Sequence, residues 1–254
     1  MTRPDLTLVH GWGMHRSIWS PCLDALRVVA NVRLADLPGY GGTPDVNGAF
    51  ADAARSLVAP IGETETGDRV TLCGWSLGAL LAMQAALLVP ERVEKLILVA
   101  ATPRFTQQAE WNEAQPASLL DDFAAAVAND RDATLQRFAA LFNQGDSHAR
   151  AIRREIAHHV LSSPTPATAT LLAGLDWLRD IDLRSQVVEI SCPVLLIHGE
   201  HDPLMPATTA RWLAAKLPRA RLEFFPDAAH APFLNDPKRF AHLVGDFLHA
   251  PRLD

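Results

Sequence analysis

Short apolar segments alternate with helical patterns along this chain, and that alternation limits what it can fold into. Segments typical of buried strands lie at 6–9, 31–35, 70–73, 95–100, 193–197 and 221–225. Strands that are largely apolar and separated by helices form parallel sheets with both faces covered. We therefore predict an α/β protein with a mostly parallel central sheet, helices on both faces and a closing helix over 237–249.

An all-helical region interrupts this alternation between about 103 and 188. Its periodicity predicts helices at 119–128, 133–142, 149–161 and 167–178. A helical insert between two strands of a parallel sheet is expected at the carboxyl edge, where open α/β sheets bind ligands. We therefore expect a core domain of residues 1–102 and 189–254, with a helical lid formed by residues 103–188.

Composition and charge exclude several classes of protein. With 254 residues and 48% hydrophobic side chains, the chain is long enough for one large globular domain. Its net charge of −6 argues against binding nucleic acid or an anionic membrane through overall charge. The odd number of cysteines and the lack of a C-x-x-C motif indicate neither a disulfide framework nor a zinc site. No segment suits a signal peptide or a membrane span, so we expect a cytoplasmic protein that acts as a monomer.

The pentapeptide Gly74-Trp75-Ser76-Leu77-Gly78 is the first candidate for chemistry. A Gly-x-Ser-x-Gly sequence is common, and many matches are only a serine in a flexible loop. Here the motif follows the apolar segment 70–73 and opens a helical pattern over 77–88, which is the context of a nucleophile on a tight strand-to-helix turn. We predict that Ser76 is a nucleophile held at the carboxyl edge of the sheet.

In a sheet of this kind the acid that supports a serine nucleophile follows it in the chain and precedes the histidine base, and Asp202 is the best candidate. It lies in the loop 199–203, directly after the predicted strand that ends at Ile197. An Asp before a Pro is also a common turn residue, and Glu200 is a possible substitute in the same loop. We predict Asp202 because it lies deeper in that loop.

The base must be a histidine that follows the acid. His242 and His249 fall in the predicted closing helix, whereas His230 lies in a loop immediately after a predicted strand. An ordinary imidazole already titrates near neutral pH, as a general base requires. The order Ser76, Asp202, His230 predicts a catalytic triad.

A tetrahedral intermediate also needs two backbone N–H donors. We predict the N–H of Leu77, the residue after the nucleophile, and the N–H of Trp12 in the loop 10–13 after the first strand. The glycines of that loop allow close backbone approach. The loop is equally consistent with a simple turn, and Trp12 with a packing aromatic; neither alternative conflicts with a role that uses only the backbone.

Several motifs along the chain together resemble those of the α/β-hydrolase family. They lie at 10–13, 37–41, 74–78, 90–93, 199–202 and 229–233. Closer matches at 11–13, 74–78, 137–141, 182–184 and 228–233 make the chain similar to the carboxylesterase family of biotin synthesis. This resemblance implies an α/β-hydrolase fold and hydrolysis of the methyl ester of pimeloyl-acyl carrier protein to methanol, with no cofactor and no metal.

The resemblance also implies substrate contacts. They fall on Trp12, Ser76, Leu77, Phe138, Ala139, Ala140, Leu141, Phe142 and His230. The residue types agree in part, since Phe138, Leu141 and Phe142 could line an apolar slot for a methylene chain. The same pattern is typical of the inner face of an amphipathic lid helix.

An acidic carrier protein implies a basic docking surface on the lid. Arg137, Arg150 and Arg154 stand where the resemblance places that surface. The alternative is a solvated helix face, and nearby acidic residues weaken the patch.

We therefore expect a metal-free serine esterase that uses Ser76, His230 and Asp202. Two alternatives stay open: a general short-chain carboxylesterase or hydrolase of another small ester or thioester, and a binding protein that has kept the fold without catalysis. A dehalogenase or epoxide hydrolase would carry aspartate at position 76 and is disfavoured.

Overall fold

The computed structural model of the chain describes residues 3–45, 49–59, 69–162 and 165–250. Within these residues the strands form a parallel sheet of order β2-β1-β3-β4-β5-β6. The strands are β1 Asp5–Val9, β2 Asn31–Ala35, β3 Val70–Trp75, β4 Val93–Val99, β5 Val194–Gly199 and β6 Ala220–Phe225. The predicted strands are confirmed, with ends shifted by one or two residues.

Helices fill the intervals between the strands. They are α1 Ser20–Val29, α2 Phe50–Ser56, α3 Leu77–Leu88, α4 Ala117–Asn129, α5 Arg131–Leu141, α6 Ala149–Ser162, α7 Thr168–Asp180, α8 Ala207–Lys216, α9 Pro232–Asn235 and α10 Pro237–His249. From β1 the chain moves to β2 on one side of the sheet, whereas from β3 it moves to β4 on the other. Because such crossovers are right-handed, α1 and α3 lie on opposite faces of the sheet.

The strand register brings distant parts of the sequence to one edge. Val9 at the end of β1 pairs with Gly74 near the end of β3, and Val99 of β4 pairs with Ile197 near the end of β5. Because all the strands are parallel, the loops that follow β1, β3 and β5 leave the sheet at the same edge, with β4 between β3 and β5. These are the loops that carry Trp12, Ser76 and Asp202.

The core is built around helix α3. This helix is buried almost all round, from Leu77 through Ala86, because it lies between the sheet and α2. A helix that is apolar on every side needs such surroundings. The nucleophile turn thus opens onto an almost fully buried helix.

Lys95 is an exception to the apolar character of the central strands. Its ammonium group is buried and donates to the carbonyls of Phe247 at 2.9 Å, Leu248 at 2.7 Å and Ala250 at 3.3 Å. These carbonyls end α10, where helix carbonyls lack intrahelical partners and carry partial negative charge. Lys95 therefore fastens the last helix to the sheet.

The four helices α4 to α7 lie between β4 and β5, as predicted for residues 103–188. Trp12 links them to the sheet. Its indole N–H donates to the carbonyl of Leu171 in α7 at 2.8 Å, and its ring makes edge contacts with Phe123 of α4 and Phe138 of α5. These contacts join α4, α5 and α7 to the loop after β1. The division into core and lid domains stays a prediction.

Candidate active site

Ser76 lies on a strained turn between β3 and α3. Its φ of 57° and ψ of −118° fall in a region that residues with a side chain rarely adopt. A Cβ at Gly74 would collide with the backbone of Gly78, and one at Gly78 would collide with the carbonyl of His10. The two glycines are thus required by close backbone packing, and the turn they permit presents the Ser76 side chain at the carboxyl edge of the sheet.

Asp202 and His230 form a buried pair beside this turn. His230 Nδ1 lies 2.7 Å from Asp202 Oδ2, and Asp202 Oδ1 accepts the backbone N–H groups of Leu204 and Met205, each at 2.9 Å. Burial alone would raise the pKa of the Asp202 carboxyl. The neighbouring His230 and the hydrogen bonds outweigh burial and bring that pKa below its ordinary value, so the carboxylate stays ionised.

The Asp202 carboxylate determines the tautomer of His230. Because an ionised carboxylate only accepts, the proton of the neutral ring lies on Nδ1 and the lone pair on Nε2. Nε2 is buried and has no hydrogen-bond partner in the described part of the chain. A buried acceptor without a partner is costly, and here it leaves the ring free to receive a proton from a nearby group.

Trp75 positions His230 next to the serine. Its indole N–H donates to the His230 carbonyl at 2.8 Å, and the two rings lie 5.5 Å apart. Since Trp75 directly precedes Ser76, this contact holds the imidazole against the strand-to-helix turn. The structure therefore brings the predicted acid and base together and places the base against the residue that precedes the predicted nucleophile; the catalytic roles of the three residues stay a prediction.

The loop after β1 also comes close to Ser76. A Cβ at Gly11 would lie 3.1 Å from Ser76 Cβ, so the glycine allows this approach. Trp12 follows Gly11 directly, and Leu77 is the first residue of α3, where backbone N–H groups have no partner within the helix. The predicted donors Trp12 and Leu77 are thus neighbours of Ser76 in space or in sequence; their role as an oxyanion site stays a prediction.

A small apolar cavity opens at Ser76 beneath the lid helices. Its volume is about 20 Å³, enough for roughly one water molecule. Its walls are formed by Trp12, Ser76, Phe105, Leu119, Leu120, Phe123, Phe138, Leu175, Leu178 and Leu204. Apart from the serine, every side chain on this list is apolar, so the cavity suits hydrocarbon rather than charged atoms.

Of the substrate contacts implied by the resemblance, Trp12, Ser76 and Phe138 line this cavity. The walls given above do not include the other six, and their part in binding the substrate stays a prediction: Leu77, Ala139, Ala140, Leu141, Phe142 and His230. Phe142 is fully buried behind the base, with its ring 5.5 Å from that of Trp75 and 5.9 Å from that of His230. It caps the C-terminal end of α5.

Most of the remaining wall residues were missed from the sequence. Leu119, Leu120 and Phe123 of α4 and Leu175 and Leu178 of α7 occur at helical spacing, which identifies an apolar face. Periodicity does not tell whether such a face packs on a neighbouring helix or looks at Ser76. That distinction depends on how the helices cross, and the sequence pattern carries no signal for it.

The predicted docking arginines lie on two lid helices. Arg137 of α5 is exposed and donates to Thr134 Oγ1 at 3.2 Å. Arg150 and Arg154 are exposed and one turn apart on α6, so they share a face of that helix. Their part in binding a carrier protein stays a prediction.

Two broader features of the described residues bear on the site. They contain no group of three His, Cys, Asp or Glu side chains arranged to hold a metal ion. In the same residues, no helix combines the length and apolar character that crossing a membrane requires.

A model of the Alpha/beta hydrolase family matches residues 8–243, so the chain belongs to this family. Among curated proteins, it is 39% identical to the pimeloyl-[acyl-carrier protein] methyl ester esterase of Nitrosomonas europaea, over 93% of this chain and 92% of that protein. It is also 39% identical to the protein of the same name from Aromatoleum aromaticum, over 97% and 98% of the two chains. The resemblance inferred from the motifs is confirmed.

Among solved structures, an esterase from Exiguobacterium antarcticum superposes with a TM-score of 0.87. The two chains are 22% identical, and the match covers 98% of this chain and 93% of the esterase. At this level of identity the likeness concerns the fold, and it confirms the predicted α/β-hydrolase architecture.

Proposed function

We propose that this protein is a serine carboxylesterase that hydrolyses the methyl ester of pimeloyl-[acyl-carrier protein], releasing methanol, in biotin synthesis. Two full-length relatives at 39% identity carry that activity in their names. The observation in the structure that supports catalysis most strongly is the buried Asp202–His230 pair, in which the His230 ring lies 5.5 Å from that of Trp75, the residue before Ser76. Within the described residues, His230 Nε2 has no hydrogen-bond partner.

The reaction follows from the groups in the site. Ser76 Oγ attacks the ester carbonyl carbon, and its proton passes to His230 Nε2. The carbonyl oxygen becomes an oxyanion, which the N–H groups of Leu77 and Trp12 stabilise. Methoxide leaves as methanol by taking the proton from His230. A water then attacks the acyl-serine by the same route, freeing the carboxylate and restoring Ser76.

Asp202 contributes by charge and by orientation. Its ionised carboxylate keeps the His230 proton on Nδ1 before the attack and stabilises the imidazolium that forms afterwards. The pair is fully enclosed by protein, so this attraction is weakened little by solvent. The low pKa of Asp202 means that the carboxylate is present throughout the pH range in which a histidine base works.

The cavity walls favour an ester over its hydrolysis product. Methylene and methyl groups of the substrate gain from burial against Phe138, Leu175 and the other wall residues. A free carboxylate would lose its hydration there without finding a cation on those walls. The carboxylate product should therefore bind in the cavity more weakly than the ester and dissociate after hydrolysis.

Substrate entry requires movement of the lid. A volume of about 20 Å³ cannot hold a pimeloyl chain, so the side chains of α4, α5 and α7 that close the cavity must separate from Ser76. Trp12 contacts all three helices, so its contacts with them would have to break or shift as the cavity opens.

The acyl carrier protein would bind on the outer face of this lid. It is acidic in the resembling family, and the exposed guanidinium groups of Arg137, Arg150 and Arg154 would meet its carboxylates. We further propose that the protein works as a monomer in the cytoplasm and that the reaction uses only side chains and backbone groups of this chain, without cofactor or metal.

Comparing kcat/KM for the carrier-bound ester with that for a simple p-nitrophenyl ester tests this assignment. We expect the carrier-bound ester to be preferred, and the double variant Arg150→Glu/Arg154→Glu to lose that preference while keeping its rate on the simple ester. Arg27→Glu, an exposed charge reversal on α1, is the matched control. A faster reaction with simple esters would favour the general carboxylesterase. A lack of labelling by a serine-reactive phosphonate would favour the non-catalytic binding protein.

A further inference from the structure

The loop between α5 and α6, residues 142–148, packs directly against the loop that carries His230. We call the first the lid loop and the second, residues 226–231, the base loop. Gly145 in the lid loop adopts a φ of +92°, and a Cβ there would lie 3.3 Å from His201 Cβ, next to Asp202. The lid loop therefore touches the loops of both the acid and the base.

Asp146 lies at the centre of this contact and is 7% exposed. Its Oδ2 accepts the backbone N–H of Ala229 at 3.0 Å, and Ala229 directly precedes His230. Its Oδ1 accepts the side-chain amide of Asn235 at 2.8 Å and the N–H of His148 at 2.7 Å. The carboxylate thus joins the lid loop, the base loop and the short helix α9 that follows it.

Two backbone hydrogen bonds flank the Asp146 carboxylate. Ser147 N–H donates to the Asp227 carbonyl at 2.9 Å, and His230 N–H donates to the Phe142 carbonyl at 3.2 Å. On its opposite side the base loop lies against Gly199 at the end of β5, where a Cβ would collide with the carbonyls of Ala228 and Ala229. The base loop is held between the sheet and the lid loop.

Losing the carboxylate would release this arrangement. Hydrogen bonds to a charged acceptor are stronger than those between neutral groups, and a buried N–H left unpaired is costly. Without Asp146, the N–H of Ala229 would have to find another acceptor, and the backbone one residue before His230 would shift. A displacement of about 1 Å at a catalytic group lowers a rate by about 100-fold.

We propose that Asp146 is a positioning residue for His230: it fixes the base loop so that the imidazole stays aligned with both Asp202 and Ser76. It follows that the lid loop stays bound to the core during turnover, while the cavity opens by movement of other parts of the lid. The catalytic consequence rests on the proposed serine-esterase function, whereas the geometric consequence for His230 does not.

The test compares Asp146→Ala, Asp146→Asn and Asp122→Asn with the unaltered protein. Asp122 is an exposed lid carboxylate and serves as the matched control. We expect kcat on a p-nitrophenyl ester to fall by about 100-fold in Asp146→Ala with KM changed less than about threefold. Asp146→Asn keeps one acceptor oxygen, so its kcat should lie between that of Asp146→Ala and that of the unaltered protein. The kcat of Asp122→Asn should match that of the unaltered protein.

A second measurement separates positioning from general loss of structure. The Nδ1–H proton shared with Asp202 should give a low-field proton NMR signal in the unaltered protein. It should shift or broaden in Asp146→Ala while the urea unfolding transition stays cooperative. A folded Asp146→Ala with unchanged kcat and an unchanged signal would overturn the proposal; if that variant does not fold, the same result for Asp146→Asn would do so. If the unaltered protein hydrolysed no ester, the proposed function would fail, and the NMR signal would still test the role of Asp146.

Discussion

Replacing Asp202 by Asn isolates the part that its charge plays in the triad. The two side chains have nearly the same shape, so packing is kept. In the native site Oδ1 accepts the N–H groups of Leu204 and Met205, while Oδ2 accepts from His230 Nδ1. Because both backbone groups are donors, the Asn oxygen must face them, and its NH₂ group must face His230.

The wrong tautomer of His230 follows from that orientation. Nδ1 must now accept, so the proton moves to Nε2, which can no longer take the proton of Ser76. Turning the amide round would restore the base, but it would present NH₂ to two buried N–H donors at about 1–3 kcal/mol each. Activity through this minor orientation would therefore be at least about 30-fold lower, and the loss in a comparable triad is about 10⁴-fold, or roughly 5.5 kcal/mol.

The assay is kcat on a p-nitrophenyl ester, measured for Asp202→Asn and for Asp227→Asn. The second variant removes an exposed carboxylate close in sequence to His230 and should keep full activity. Circular dichroism and urea unfolding establish that both are folded. An Asp202→Asn variant that is folded and retains kcat within tenfold of the unaltered protein would refute this account of the His230 tautomer.

Three further predictions concern stability and reactivity. Burial raises the pKa of Cys22 to about 12, that of Cys192 to about 11, and that of Cys73 well above its ordinary value. Alkylation of these thiols at pH 8 should therefore need denaturant, because the reactive thiolate is scarce in the folded protein. Rapid alkylation of the native protein would contradict this. Lys95→Met should lower the free energy of unfolding by about 2–3 kcal/mol in urea titrations, because the carbonyls ending α10 lose a charged donor; a change below about 0.5 kcal/mol would disagree. Burial lowers the pKa of His198 from 6.5, so the unfolded chain takes up a proton that the folded protein excludes. Stability should thus fall as pH drops below 6.5, and His198→Gln should show a smaller fall in urea midpoint between pH 7.5 and 5.5.

Local patterns in the sequence predicted much of this structure. Largely apolar segments predicted strands such as Val70–Trp75. The order of Ser76, Asp202 and His230 follows the order of the loops at one edge of the sheet. These features depend on residues close together in the chain or on a rule of topology, so the sequence alone was enough to predict them.

Contacts between residues far apart in the chain, which depend on how helices and loops pack, could not be predicted in the same way. Nothing in the sequence around Asp146 shows that its carboxylate accepts the backbone N–H of Ala229, eighty-three residues later. Phe142 is predicted to contact the substrate, and its packing against the rings of Trp75 and His230 carries no signal in the sequence. Both outcomes are set by the packing of the lid on the core.

The central claim, that Ser76 attacks the methyl ester of the carrier-bound pimeloyl chain, is tested most directly by following methanol and the acyl group together. The purified protein and its Ser76→Ala variant are each incubated with the carrier-bound ester. Methanol is quantified, and the mass of the acylated carrier protein is measured by intact mass spectrometry. The account predicts equimolar methanol and free carboxylate with the unaltered protein, and neither product above background with folded Ser76→Ala. Turnover by Ser76→Ala at a rate near that of the unaltered protein, or none by the unaltered protein, would contradict it.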